Sequence, residues 1–190
     1  NITCPNPAPT VECPNAPNFG SASATDACDN SVVPTSSDVT TPGACPQEFT
    51  VTRTWTATDD CGNSSTCSRT IDVEDNTPPS ITCPTVSSPI ECPASPSFGA
   101  ATATDACDQS VTPTSSDVTT PGNCPQEFSV TRTWTATDDC GNSSTCTRTI
   151  NVTNNTPPQI TCPTVANVEC PASPCFGSAS ATDACHNSVA

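Results

Sequence analysis

The chain has 190 residues, a formal net charge of −15 from 19 acidic residues against four arginines, 16 cysteines and 22 prolines. That charge repels phosphate backbones and anionic lipid heads, which excludes nucleic acid and membrane surfaces as partners, and no apolar run reaches the roughly 20 residues of a helical membrane span. Lysine is absent, which excludes Schiff-base chemistry and lysine isopeptide cross-links. Cysteine in this amount points to an oxidising compartment, extracellular or at the cell surface, with any export signal removed or outside this sequence.

Ile2-Thr3-Cys4-Pro5 returns as Ile81-Thr82-Cys83-Pro84 and as Ile160-Thr161-Cys162-Pro163, a period of 79 residues. The expected domains are residues 1–79, residues 80–158 and a partial third copy, 159–190, holding early strands only. Each full copy carries six cysteines: Cys4, Cys13, Cys28, Cys45, Cys61 and Cys67, then Cys83, Cys92, Cys107, Cys124, Cys140 and Cys146. The third copy has Cys162, Cys170 and Cys185 in matching places and an additional Cys175. With two Trp, five Phe and no Tyr or Met, a copy buries only a thin core, so covalent bridges must compensate.

No window shows helical periodicity, and the pattern is all-β. In chain order, Val11-Glu12-Cys13, Phe19 to Thr25 and Val32 to Thr35 read as short strands between Pro, Asn and Asp turns. From Phe49 to Thr58 a period of two sets Phe49, Val51, Trp55 and Ala57 on one face and a row of threonines on the other. After the turn from Asp59 to Ser65, a second alternating strand puts Cys67, Arg69, Ile71 and Val73 on one face and completes a hairpin. Arg53 and Arg69 share the face of Trp55, either stacked on the indole or leaning into solvent at a strand edge. About seven short strands fit in a copy, which favours tandem, disulfide-rich β-sandwiches of immunoglobulin type.

Thr56-Ala57-Thr58-Asp59-Asp60-Cys61-Gly62-Asn63, followed by Cys67, a strand ending at Val73, then Asp75 and Pro78, resembles the hyalin-repeat (HYR) family and its bacterial immunoglobulin-like relatives. Ala136 to Asn142 is the second match. The resemblance implies immunoglobulin-like modules of long extracellular adhesion proteins.

Catalysis is not expected. The single histidine, His186, lies in the partial copy, and adjacent carboxylates such as Asp59 and Asp60 point to opposite faces of a strand. Zinc is disfavoured because paired C-x2-C knuckles are missing. Six cysteines allow 15 connectivities; the expectation favours Cys28 with Cys61, Cys4 with Cys13 and Cys45 with Cys67. Cys175 and Cys185 are candidates for intermolecular bridges.

Ca²⁺ is the expected cofactor, held by Asp26, Asp29, Asp59, Asp60 and Asn63, and by Asp105, Asp108, Asp138, Asp139 and Asn142 in the second copy, since hard oxygen donors suit it. The alternative is that these aspartates cap turns. Glu74-Asp75 in the linker is a second acidic candidate, and its counterpart Thr153-Asn154 has lost both acids. Asn1, Asn63, Asn142, Asn151 and Asn154 open N-x-Ser/Thr sequons. The expected role is a subunit of an extracellular filament or surface appendage, self-associating or joined to other surface proteins, with strand exchange through the partial copy. The alternative is an adhesin stalk or a module binding a glycan or receptor through the loops around Asp26 and Asp59.

Overall fold

Alternation of apolar and hydroxylated residues makes Phe49–Thr58 a strand with two chemically different faces, and the rest of the repeat is assembled on it. The computed structural model describes residues 1–164, 167–169, 173 and 176–185, and no helix occurs among them. The first repeat contains β1 (Ile2–Thr3), β2 (Thr10–Glu12), β3 (Ser23–Ala24), β4 (Thr35–Pro42), β5 (Phe49–Thr58) and β6 (Ser64–Glu74). The second repeats the order as β7 (Ser80–Thr82), β8 (Ile90–Glu91), β9 (Thr102–Thr104), β10 (Thr114–Pro121), β11 (Phe128–Thr137) and β12 (Ser143–Thr153). The third copy contributes β13 (Gln159–Thr161) and β14 (Ser180–Thr182).

Strands β2-β6-β5-β4 form one sheet, with β2 parallel to β6 and the others antiparallel, while β1 and β3 form a second, two-stranded sheet. The second repeat has the same two sheets, β10-β11-β12-β8 and β7-β9. These are tandem immunoglobulin-like sandwiches, with six strands per repeat where the sequence suggested about seven.

In the β5–β6 register Trp55 faces Cys67, Val51 faces Ile71 and Phe49 faces Val73. Phe19, Val51, Trp55 and Ile71 form the buried core, with Ile2, Cys4, Val11, Ala22, Phe49 and Cys67 packed round it. Phe19 meets Trp55 edge-on, 6.1 Å between ring centroids and 75° between planes, and Phe98 meets Trp134 the same way at 6.0 Å and 74°. The opposite face of the hairpin carries a ladder of hydroxyls: Thr50 Oγ1 donates to Asp72 Oδ1 at 2.7 Å, Thr52 pairs with Thr70 at 3.0 Å and Thr54 with Ser68 at 2.9 Å.

Two early segments differ from expectation. Of Phe19 to Thr25 only Ser23–Ala24 is a strand, because Phe19 turns inward as the plug over Trp55. The segment Val32 to Thr35 joins a strand only at its last residue; β4 runs from Thr35 to Pro42 and is exposed along its whole length. It is an edge strand with one apolar residue, so alternation could not reveal it. What fixes it is its register on β5, which sets Asp38 opposite Arg53.

Arg53 does not stack on the indole of its own strand. Its guanidinium lies 4.7 Å from the centroid of Phe19 and donates to both oxygens of Asp38, from Nε and Nη2, each at 2.7 Å. This fork holds the Asp38 carboxyl below its usual range. In the second repeat Arg132 lies over Phe98 at 4.8 Å and Trp134 at 5.9 Å while bridging to Asp117. Arg69 instead donates to the Pro5 and Ser68 carbonyls and stays exposed.

The described residues cluster into two compact units. One comprises Asn1–Thr82, Thr102–Thr114 and Thr135–Thr145; the other comprises Cys83–Ala101, Ser115–Trp134 and Cys146–Ala190. The first unit therefore contains loops of the second copy.

Trp55 is the keystone of the first repeat's core, so Trp55→Ala is expected to cost about 3–5 kcal/mol in denaturant unfolding of the oxidised chain. Val39→Thr, at a site 65% exposed, is expected to change it by less than about 0.5 kcal/mol.

Candidate functional site

The chemistry of this chain is concentrated where the first repeat meets loops of the second, inside one compact unit. Each full repeat closes on itself through one bridge, Cys4–Cys67 in the first and Cys83–Cys146 in the second, with Cα atoms 5.9 Å apart in both. It ties the start of the repeat to strand β6 or β12 beside the Trp. The other bridges join different repeats: Cys13 to Cys107, Cys45 to Cys140, and Cys92 to Cys185 of the third copy.

All three favoured intrarepeat pairings are thus replaced. Cys4 pairs with Cys67 and not Cys13, Cys45 pairs with Cys140 and not Cys67, and Cys28 and Cys61 are unbridged. The reason is geometric: Cys4 follows β1, which packs against β6, the strand that carries Cys67, whereas Cys13 and Cys45 stand beside loops of the second repeat. Cys124 and Cys162 are also free, and Cys185, expected to be intermolecular, is bonded within the chain. Cys170, Cys175 and His186 lie outside the described residues.

The linker between repeats is clasped by a glutamate that the sequence reading passed over. Glu12, the last residue of β2, accepts from the Asn76 amide and the Thr77 hydroxyl at 2.7 Å each, and from Asn76 Nδ2 at 3.4 Å. Glu91 does the same for Asn155 and Thr156, with the Asn155 amide at 2.6 Å and the Thr156 amide at 3.0 Å. The Thr77 hydroxyl and then the Asn76 amide hold the Glu12 carboxyl below its ordinary value; for Glu91 the Asn155 amide leads. The recurring Asn-Thr-Pro-Pro after β6 and β12, each 64 residues beyond a Glu-Cys-Pro, was the available signal.

Asp75, in the same linker, is 2% exposed, and its Oδ2 has no hydrogen-bond partner. Burial pushes its carboxyl up, the Thr77 amide partly offsets this, and the charges of Asp105, Asp138 and Glu12 add to the rise. It stands beside the Cys13–Cys107 bridge. Asn154 takes its place in the next copy and likewise has an unpaired buried oxygen.

The aspartates expected to ligate calcium do gather round one pocket, where Asp26, Asp29, Asp59 and Asp60 stand with Cys28 and Cys61. Most of their oxygens are engaged by the turns they cap. Asp26 Oδ1 accepts from the Cys28 and Asp29 amides, and Asp29 Oδ1 from the Ser31 amide and hydroxyl. Asp29 Oδ2 accepts from the Asp60 amide at 3.3 Å. Asp59 accepts from the amides of Cys61 and Asn63 and from Asn63 Nδ2, around Gly62 at φ +87°, a left-handed turn that suits glycine. The Asn63 side chain leads in holding the Asp59 carboxyl low, and the Ser31 hydroxyl does so for Asp29. Asp105, Asp108 and Asp138 repeat these turns, and the Asp139 amide donates to Asp108 at 3.2 Å. Among the described residues the groupings of three potential metal ligands each consist of one bridged cysteine pair and one carboxylate, and bridged sulfur is not a thiolate ligand.

Of the sequon asparagines, Asn1, Asn63 and Asn151 are exposed. The Asn142 amide is occupied, donating to the Asp75 carbonyl at 2.8 Å and to Asp138 Oδ2 at 3.0 Å. The Asn154 side-chain oxygen is buried.

All-β repeats of immunoglobulin type, each full one closed internally by one bridge, with two bridges joining the first to the second and one joining the second to the third copy, define a tandem, disulfide-rich extracellular module. A family model described as a HYR-like domain with four cysteines matches residues 2–73 and 78–152, and the chain belongs to that family. Each matched segment of this chain carries six cysteines. No curated protein sequence matches the chain.

The two linker carboxylates titrate with opposite sign. The Glu12 clasp stabilises above the ordinary carboxylate value, roughly pH 4, and that contribution is lost as pH falls through its depressed value. Asp75, raised, favours the fold most at low pH and loses that contribution as pH rises through its elevated value. Melting midpoints followed from neutral to acid pH are therefore expected to fall less steeply for Glu12→Gln than for the parent. Asp75→Asn is expected to raise the midpoint at neutral pH and leave it unchanged in acid.

Proposed function

We propose that the chain is a structural segment of an extracellular filament or surface appendage, in which successive HYR-like sandwiches are bolted into a stiff series. The observation that carries this reading is the pair Cys13–Cys107 and Cys45–Cys140: together with the peptide linker, they give two repeats three covalent connections. One connection permits swivel and bend; three separated ones resist both. The Pro-Pro linker and the Glu12 clasp act in the same direction.

The loops round Asp26 and Asp59 were the candidate surface for a glycan or receptor. Their second-copy counterparts are consumed by the joint, with Asp108 at 4% and Asp138 at 5% exposure, which favours a mechanical over a ligand-binding role. The partial third copy fits the same reading. Its β13 pairs with β14 as β1 does with β3, and Phe176, the counterpart of Phe19, is 70% exposed, a face that the Trp-bearing hairpin of a strand-exchanging neighbour would cover. Calcium is retained in the proposal as a stabiliser of the loop end, where the Asp60 carboxylate and Asp26 Oδ2 are free of turn duties.

Electron microscopy of the native oxidised material is expected to show straight fibres that soften or fragment on reduction; monomeric particles that never polymerise would overturn the filament. Thermal unfolding in millimolar calcium is expected to exceed that in excess chelator, and identical midpoints would remove calcium from the proposal.

A further inference from the structure

In chain order the six cysteines of a repeat form six classes, and every observed bridge obeys one rule. The first class pairs with the sixth of its own repeat, in Cys4–Cys67 and Cys83–Cys146. The second pairs with the third of the next repeat, in Cys13–Cys107 and Cys92–Cys185. The fourth pairs with the fifth of the next repeat, in Cys45–Cys140. The unbridged thiols among the described residues are Cys28, Cys61, Cys124 and Cys162. Under the rule each wants a class that no repeat within residues 1–190 offers from the required position. Cys28 and Cys61, the third and fifth classes of the first copy, want the second and fourth classes of a repeat set before it.

The surface round these two thiols is shaped for such a neighbour. Cys28 and Cys61 are exposed and share a shallow pocket of about 170 Å³. A second pocket of about 190 Å³ lies beside it, lined by Asn1, Thr25, Asp59, Asn63 and Ser65 among others. In the second repeat the corresponding place is filled by the linker: Asn142 Nδ2 donates to the Asp75 carbonyl at 2.8 Å, and the Ser144 hydroxyl donates to the Pro79 carbonyl. In the first repeat the counterpart Asn63 Nδ2 donates to Asp59 Oδ2, at 2.9 Å, within its own turn.

We propose that Cys28 and Cys61 are the receiving half of a two-disulfide joint, which takes the second- and fourth-class thiols and the linker of another HYR-like repeat. Two thiols lose two protons and two electrons as each bridge forms. A small-molecule disulfide accepts them and leaves as two thiols, so two such acceptors complete the joint. The inference stands apart from the filament reading, since a monomeric stalk of tandem repeats needs the same joint.

The test uses the whole chain and a version with residues 1–79 duplicated ahead of Asn1, both oxidised in a glutathione redox pair, alkylated and mapped by mass spectrometry without reduction. In the extended chain Cys28 is expected in a peptide joined to Cys13 of the added repeat, and Cys61 in one joined to its Cys45, with alkylation at both positions lost. Cys13→Ser in the added repeat is expected to restore alkylation at Cys28 alone, and Cys45→Ser at Cys61 alone, a partition that general misfolding does not produce. Cys28 and Cys61 joined to each other, or both still alkylated in the extended chain, would overturn the proposal. The unextended chain at high concentration then assigns the source of the partner. A ladder of multimers carrying a Cys61–Cys124 link assigns the fourth-class thiol to a second copy, whose Cys92 stays with Cys185, and monomer alone excludes that copy as its source.

Discussion

The first repeat's buried core consists of Phe19, Val51, Trp55 and Ile71, with a ring of half-buried neighbours. Four large side chains cannot offset the ordering of 79 residues by apolar burial alone, so closure by cysteine is the constraint on which the remaining architecture depends. Cys4–Cys67 closes a loop of 63 residues, for which chain entropy alone gives about 4 kcal/mol. It does so beside Trp55, whose register partner is Cys67, so the bridge also fixes the wall against which the indole packs. Of the four cysteines thereby released from holding the first repeat together, Cys13 and Cys45 join it to the next, and Cys28 and Cys61 are unbridged.

That division of labour explains what was legible in the sequence. The hairpin was readable, β5 to the residue and β6 to within two residues of its start, since its period of two is uninterrupted and the Asp-Cys-Gly-Asn turn marks where the chain reverses. The immunoglobulin-like class followed from it. The bridges were not readable, because an even six per repeat suggests a closed set, and only three-dimensional closure reveals that four of the six look outward. Strand β4 was hidden for another reason: as a fully exposed edge it needs no alternation, and Asp38 is recognisable as a partner only once Arg53 lies opposite. The stacking of Arg53 was left open between the indole and solvent, because Phe19, the ring it covers, comes from a loop whose path no local pattern records.

The acidic residues fall into three physical situations that composition merges into one net charge. Asp38 and Asp117 are neutralised by arginine forks. Asp26, Asp29 and Asp59 are spent on the amides of their own turns, which stabilises their ionised forms without a cation. Glu12 and Glu91 are spent on the linker. Asp75 differs from all of these, buried with one unpaired oxygen, and Asn154, one period later, likewise buries an unpaired oxygen but carries no charge.

The same residues also account for the lack of an accessible loop end in the second repeat. Loops at one end of an immunoglobulin-like sandwich are the usual place for recognition, because they are free of the sheets' hydrogen bonding. Here the loops carrying Cys107 and Cys140 take bridges from Cys13 and Cys45, and Asn142 takes the linker carbonyl. The loop end of the second repeat is therefore held by the first repeat and its linker. The same commitment recurs in part at the next joint, where Cys92 takes Cys185 and Glu91 takes the linker at Asn155 and Thr156.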